Sequence, residues 1–226
     1  MTGPGFWQQV AWAFRKDLRV ELRGGETLWA ATPFAALALL LVPLAIGTET
    51  ALLRRIGPGM LWLVVLLFGM TVTLRPASIE TRAVRDLLAL SGLDPATGFL
   101  GGSLASSVLL FGVTVILTPV MIVLYAPAGI VGWWWLLPMA GAGAVALGLL
   151  GTLIRSLVTG LRTRTSLAPL LAVPPAIPVL LATTQGTDSV IAGRSTISWL
   201  LLLVAMDLAL VVVGVLLAGR LDDTSR

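Results

Sequence analysis

The chain contains no cysteine and no histidine. The first absence rules out disulfides, iron–sulfur clusters and thiolate metal sites. The second removes the commonest haem ligand, zinc ligand and general base. Lysine occurs once, at Lys16, so no GxxxxGK[ST] phosphate loop can form and any ATP hydrolysis must take place on another chain. Charge is scarce as well. Only 12% of the 226 residues are charged, roughly half the share usual in a soluble domain. No grouping of carboxylates has catalytic spacing, which leaves an intramembrane enzyme the least supported class.

What is present is apolar: 57% of the residues are hydrophobic. Apolar runs predict spans at residues 28–47, 59–74, 99–125, 133–153, 167–183 and 197–219. The expected fold is an all-α integral membrane protein of six transmembrane helices. Residues 1–27 form an N-terminal segment, 28–219 the transmembrane domain and 220–226 a tail. The net charge of +4 would point to nucleic acid in a soluble protein. Here the basic residues fall between apolar runs and speak for orientation in a bilayer instead. Arg54, Arg55 and Arg194 fall on one side, and the other twelve of the 15 basic residues on the opposite side. The positive-inside rule then places both termini in the cytoplasm, as an even number of spans requires.

Residues 6–23 are too charged to span. Phe6, Val10, Phe14, Leu18 and Leu22 recur every fourth position, with Trp7 and Ala11 widening the stripe, and the pattern predicts an amphipathic helix in the bilayer interface, with a coiled-coil or core helix as the alternative, ended by Gly24 and Gly25. Between spans two and three, Ser78 can cap a short cytoplasmic helix over residues 80–90. It carries Glu80, Arg82, Arg85 and Asp86, with an apolar stripe that includes Leu87 and Leu90 and with Leu88 beside it. Such a helix suits docking on another protein, or alternatively lies on lipid headgroups.

Span four carries Ala140, Ala144, Gly148 and Thr152 at every fourth position, a small-residue stripe that permits close helix packing. Span five contains Pro174, Pro175 and Pro178, which leave backbone carbonyls without donors and predict a broken helix. Asp207 falls near the middle of span six, where a carboxylate costs a few kcal/mol. It is expected to be protonated, to bond a hydroxyl such as that of Thr114 or Ser107, or to face a partner subunit. Trp133, Trp134 and Trp135 stand at a span boundary and read as an interfacial belt. The methionines read as packing rather than as haem ligands.

Residues 41–62 read LVPLAIGTETALLRRIGPGMLW. Pro43, Leu44, Ile46, Gly47, Glu49, Leu52, Leu53, Arg55, Ile56, Pro58, Gly59 and Trp62 resemble the Pro-Leu-x-Ile-Gly run, acidic residue, Leu-Leu-x-Arg-Ile-x-Pro-Gly and tryptophan of the heme exporter protein B family. That family is the membrane permease of the cytochrome c maturation ABC transporter. A second stretch, residues 147–181, is similar in its Leu-Gly-x-Leu-Gly, its basic loop after Gly160 and the prolines at Pro174 and Pro178. The connection after span two departs from the family's acidic run, keeping Asp86 and the Leu87–Leu90 stripe but placing arginines where acids are usual.

The resemblance implies an ABC-2-type permease in the inner membrane, driven by a separate ABC ATPase subunit docked on the 80–90 helix. It also implies a second membrane subunit that handles haem and an extracytoplasmic haem chaperone. Glu49, Arg55, Pro58 and Gly59 are the candidate docking segment for the extracytoplasmic partner. No cofactor is expected to bind this chain directly; haem is the expected cargo of the complex. Two other classes remain open: an exporter of a lipid or other small molecule, and a non-transporting assembly subunit.

Overall fold

The computed structural model describes residues 5–24, 26–47, 49–79, 95–125, 132–160 and 168–223. These residues are helical almost throughout. The helices are α1 (Phe6–Gly24), α2 (Glu26–Ile46), α3 (Thr50–Ile79), α4 (Pro95–Tyr125), α5 (Leu136–Gly160), α6 (Ala168–Ile191) and α7 (Ile197–Asp223), with a single 3-10 turn at Trp133–Trp135 before α5. Among the described residues, four segments are long and apolar enough to cross a membrane: Thr50–Thr71, Pro95–Tyr125, Trp133–Val158 and Ile197–Gly219. A shorter apolar stretch, Thr32–Ile46, belongs to α2. In α6 only the first half is apolar; Thr183, Thr184, Gln185, Thr187 and Asp188 make the second half polar.

α4 and α5 form the centre of the bundle. They pack along each other, and the remaining helices gather round them. The main core joins Ala35 and Leu39 of α2, Leu61, Trp62 and Val65 of α3, Leu110, Leu117 and Met121 of α4, Ala144 and Leu147 of α5, and Val179 of α6. The helices differ in burial according to place: 67% of the α5 segment is buried and only 11% of the α7 segment. Leu201, Leu208, Val212 and Leu216 of α7 are exposed. In water such a face would be a large apolar patch; in a bilayer it is the ordinary outer wall of a helix bundle.

Hydroxyl groups inside this apolar bundle bond back to their own helix. On α4, Ser103 donates to the carbonyl of Phe99 at 2.8 Å, Ser107 to Ser103 at 2.8 Å, Thr114 to Leu110 at 2.7 Å and Thr118 to Thr114 at 2.7 Å. With no water to receive them, these donors take the nearest acceptor, one turn back.

Several expected boundaries are corrected. α3 begins at Thr50, not at residue 59: the carbonyl of Glu49 accepts the Leu53 N–H at 3.0 Å, and the helix runs through Pro58. Gly57 and Pro58 look like a break, yet both are buried, and burial of Leu53 and Pro58 outweighs the lost hydrogen bond to Arg54. α6 is one continuous helix through all three prolines and extends to Ile191. Its prolines were expected to break it; packing of Ala172, Ala176 and Val179 in the cores on either side of them holds the axis together. α4 starts at Pro95, α5 continues past Arg155 to Gly160 and α7 reaches Asp223. The expected helix at residues 80–90 lies outside the described residues.

Candidate functional site

The two terminal helices come to one end of the bundle. α1 crosses the first turns of α4, and Ala218 of α7 packs beside Phe99 at the same level. The crossing of α1 is close because of Gly101: a methyl group there would lie 2.5 Å from the Ala13 Cβ and 2.8 Å from the Phe14 backbone nitrogen. The amphipathic stripe is therefore divided. Val10 is buried against the bundle, whereas Trp7 and Leu22, on the other flank, are exposed. One flank of α1 thus packs on the bundle, as a core helix would, and another is left exposed, as an interfacial helix requires.

Beside that crossing, Arg155 at the end of α5 reaches Asp17 of α1, with Nη2 3.9 Å from Oδ2. The two side chains are only 18% and 20% exposed, so the pair holds in partly dry surroundings where a lone charge would be costly. Lys16 adds a second cation, its Nζ 3.4 Å from Asp17 Oδ1. One turn deeper, the hydroxyls of Ser103 and Thr152 lie 2.9 Å apart and link α4 to α5. Polar contacts thus tie α1, α4 and α5 into one unit at this end. Nothing in the sequence pattern pairs Arg155 with Asp17; their pairing needs the fold.

The small-residue stripe lies where α4 and α5 meet. Ala140, Ala144, Gly148 and Thr152 are all buried. A methyl group at Gly148 would stand 2.8 Å from the backbone nitrogen and 3.0 Å from the Cα of Ser107, a backbone approach that any larger residue prevents.

At the opposite end, the first turns of α3 dock on the end of α6. Arg54 Nη2 donates to the carbonyl of Ile191 at 3.2 Å. Below it the Trp62 indole N–H donates to Thr187 Oγ1 at 2.9 Å, buried between the two helices. Pro58 is buried and Gly59 lies beside Thr184, while Glu49 and Arg55 are exposed. The structure therefore divides the segment in two: Arg54, Pro58 and Gly59 hold α3 to the bundle, and Glu49 and Arg55 present charge to the outside. Trp133 and Trp134 are exposed near this end too.

Asp207 sits on the inward face of α7, one turn from both Leu203 and Leu210. Those two leucines pack in separate inner clusters. Its Oδ1 is buried without a hydrogen-bond partner. The expected bond to Thr114 or Ser107 is not formed at Oδ1; both hydroxyls donate to carbonyls of α4 instead. Among the residues able to ligate haem, Met121 and Met139 are fully buried in the packing and the Tyr125 hydroxyl donates to the Leu39 carbonyl at 2.7 Å, whereas Met60, Met70 and Met206 are partly buried. The candidate docking residues Glu80, Arg82, Arg85, Asp86, Leu87, Leu88 and Leu90 lie outside the described residues.

Apolar outer walls, internally satisfied hydroxyls and several membrane-length helices define a multi-pass membrane protein. The chain belongs to the CcmB protein family, which it matches over residues 8–220. Among its relatives, Heme exporter protein B of Paracoccus denitrificans is 29% identical over 196 residues, covering 86% of this chain and 89% of the relative. Heme exporter protein B of Rhodobacter capsulatus is 30% identical over 170 residues, 74% of this chain and 76% of the relative. The protein of the same name from Bradyrhizobium diazoefficiens is 29% identical over 190 residues, 79% and 81% of the two chains.

Proposed function

We propose that this chain is the membrane permease subunit of an ABC transporter complex that supports haem delivery or release for c-type cytochrome maturation. The match to the CcmB family over nearly the whole chain carries the reading, and relatives named as heme exporters give the cargo class. The chain is not an enzyme in this reading. It has no phosphate loop, so a separate ATPase subunit supplies the work, docked on the helix that the sequence predicts at residues 80–90.

In the proposed arrangement six helices, α2 to α7, span the inner membrane. The end that carries α1, Arg155 and Ala218 faces the cytoplasm, as the distribution of basic residues favours. Work delivered there reaches α4 and α5 together, because Asp17–Arg155 and Ser103–Thr152 tie them. Glu49 and Arg55 at the far end receive the extracytoplasmic haem chaperone. Trp62, Leu117, Met121, Tyr125 and Leu150 fill the interior between the helices. Haem is accordingly handled at a surface shared with a second membrane subunit rather than within this chain.

The experiment is copurification from membranes in mild detergent. The proposal expects the chain to bring down an ATP-binding cassette subunit and a second, haem-containing membrane protein. Recovery of an ATPase alone, with c-type cytochromes unaffected by deletion of the gene, would instead make this a generic exporter.

A further inference from the structure

We propose that the outward face of α1 holds the headgroup of an anionic phospholipid, in a cavity lined by Trp12, Arg15, Lys16, Arg19 and Val20. The cavity is a shallow, open recess of about 430 Å³. Its lining residues recur at i, i+3, i+4, i+7 and i+8, so two successive turns of one helix face build it.

Three observations converge on that ligand. The first is charge. Arg15 and Arg19 stand one turn apart on the same face, where like charges repel, and among the described residues neither makes an ion pair. Lys16 Nζ is within 3.4 Å of Asp17, and Asp17 also faces Arg155, so that carboxylate is shared between two other cations. An anion over the Trp12 side relieves the repulsion.

The second is rigidity. The inner face of α1 is fixed on α4 by the Gly101 crossing and the buried Val10. The cations are therefore presented on an anchored helix rather than on a free tail.

The third is continuity with apolar surface. Leu22, 59% exposed, lies one turn beyond Arg19 on the apolar flank of the patch. One ligand that places an anion on Arg15 and Arg19 and hydrocarbon on the Leu22 flank is a phospholipid. A soluble phosphate or an acidic peptide leaves that flank uncovered. The inference does not depend on which cargo the complex moves; it needs only α1 at the bilayer surface.

The test is native mass spectrometry of the detergent-purified complex titrated with phosphatidylglycerol or phosphatidylcholine. The wild type should retain one phosphatidylglycerol with at least about tenfold preference over phosphatidylcholine, and Arg15→Gln with Arg19→Gln should lower that retention about tenfold. Arg15→Lys with Arg19→Lys should keep most of it, which separates loss of charge from misfolding. Arg194→Gln, a basic residue at the other end, should have no effect. Equal retention of the two lipids by the wild type would overturn the proposal. Displacement by millimolar inorganic phosphate would do so too, by making the site one for free anions. A glutamine variant that keeps its lipid but loses a protein subunit would assign the patch to a protein partner and equally contradict it.

Discussion

The Tyr125 hydroxyl donates to the carbonyl of Leu39 at 2.7 Å, and that carbonyl is the one Pro43 deprives of its helical partner. In an unbroken helix the N–H of residue 43 would bond residue 39; proline has no N–H to give. A tyrosine at the far end of α4 supplies the missing donor across a helix interface, in surroundings without water. The kink-prone end of α2 and the placement of the only tyrosine in the chain are thus one feature.

Removing that hydroxyl tests the relationship. Tyr125→Phe should destabilise the detergent-purified protein by about 1–3 kcal/mol, the usual penalty for a buried acceptor left unpaired. Pro43→Ala returns an N–H to Leu39, so Tyr125→Phe should do much less harm in that background. Thermal unfolding of the two single variants and the double variant reads the coupling. Equal losses in both backgrounds would mean that the hydroxyl acts independently of the donor missing at Pro43.

Asp17 and Arg155 should behave as a pair. Either one replaced by alanine leaves a charge in a partly dry crevice, for a loss of about 1 kcal/mol, held low by the residual exposure and the 3.9 Å separation. The double alanine variant should be less destabilised than the sum of the singles. Hydrogen exchange at residues 10–20 should accelerate in each single variant, because α1 loses its tie to α5. Unchanged exchange would show that Gly101 packing alone holds the helix.

At the far end the neighbouring arginines should separate in effect. Arg55→Glu, on an exposed side chain, should leave the protein inserted and abundant while impairing cytochrome maturation. Arg54→Glu should lower abundance, because Arg54 holds the Ile191 carbonyl. Abundance by immunoblot beside covalent haem on c-type cytochromes distinguishes the two. Normal maturation with Arg55→Glu would return that residue to a simple surface role.

Orientation can be read by single cysteines, since the chain has none of its own. Cysteine at Thr50 or Ser195 should react with an impermeant reagent added outside intact cells, and cysteine at Thr163 should not. Both Thr50 and Ser195 are exposed at the end away from α1. Labelling at Thr163 from outside would contradict the proposed topology.

Much of the bundle could be read from hydropathy, because membrane helices announce themselves by apolar runs of fixed length. The stripe at Ala140, Ala144, Gly148 and Thr152 was legible for the same reason: small residues at four-residue spacing make one helix face. What composition hid was tertiary. Gly57 and Pro58 look like a loop, and Pro174, Pro175 and Pro178 like a break, yet packing on neighbouring helices carries α3 and α6 through both. Asp17 and Arg155 are far apart in sequence and ordinary in kind, so only the crossing of α1 on α4 brings them together. Pro43 shows that Leu39 needs a donor without naming Tyr125. Asp207 was found by its depth, but its surroundings depend on hydroxyls that bond their own helix.

The measurement that bears most directly on the account is covalent haem on c-type cytochromes in a strain lacking this gene, supplied with wild type or with Leu87→Asp plus Leu88→Asp. An apolar stripe in a partner groove provides most of the affinity, and rim charges such as Arg85 and Asp86 less. The wild type should restore haem-stained cytochromes c. The double variant should insert normally, fail to retain the ATPase subunit and restore none. Full cytochrome c maturation in the deletion strain itself, or with the double variant and its ATPase lost, would contradict an ATPase-driven role for this chain in haem supply.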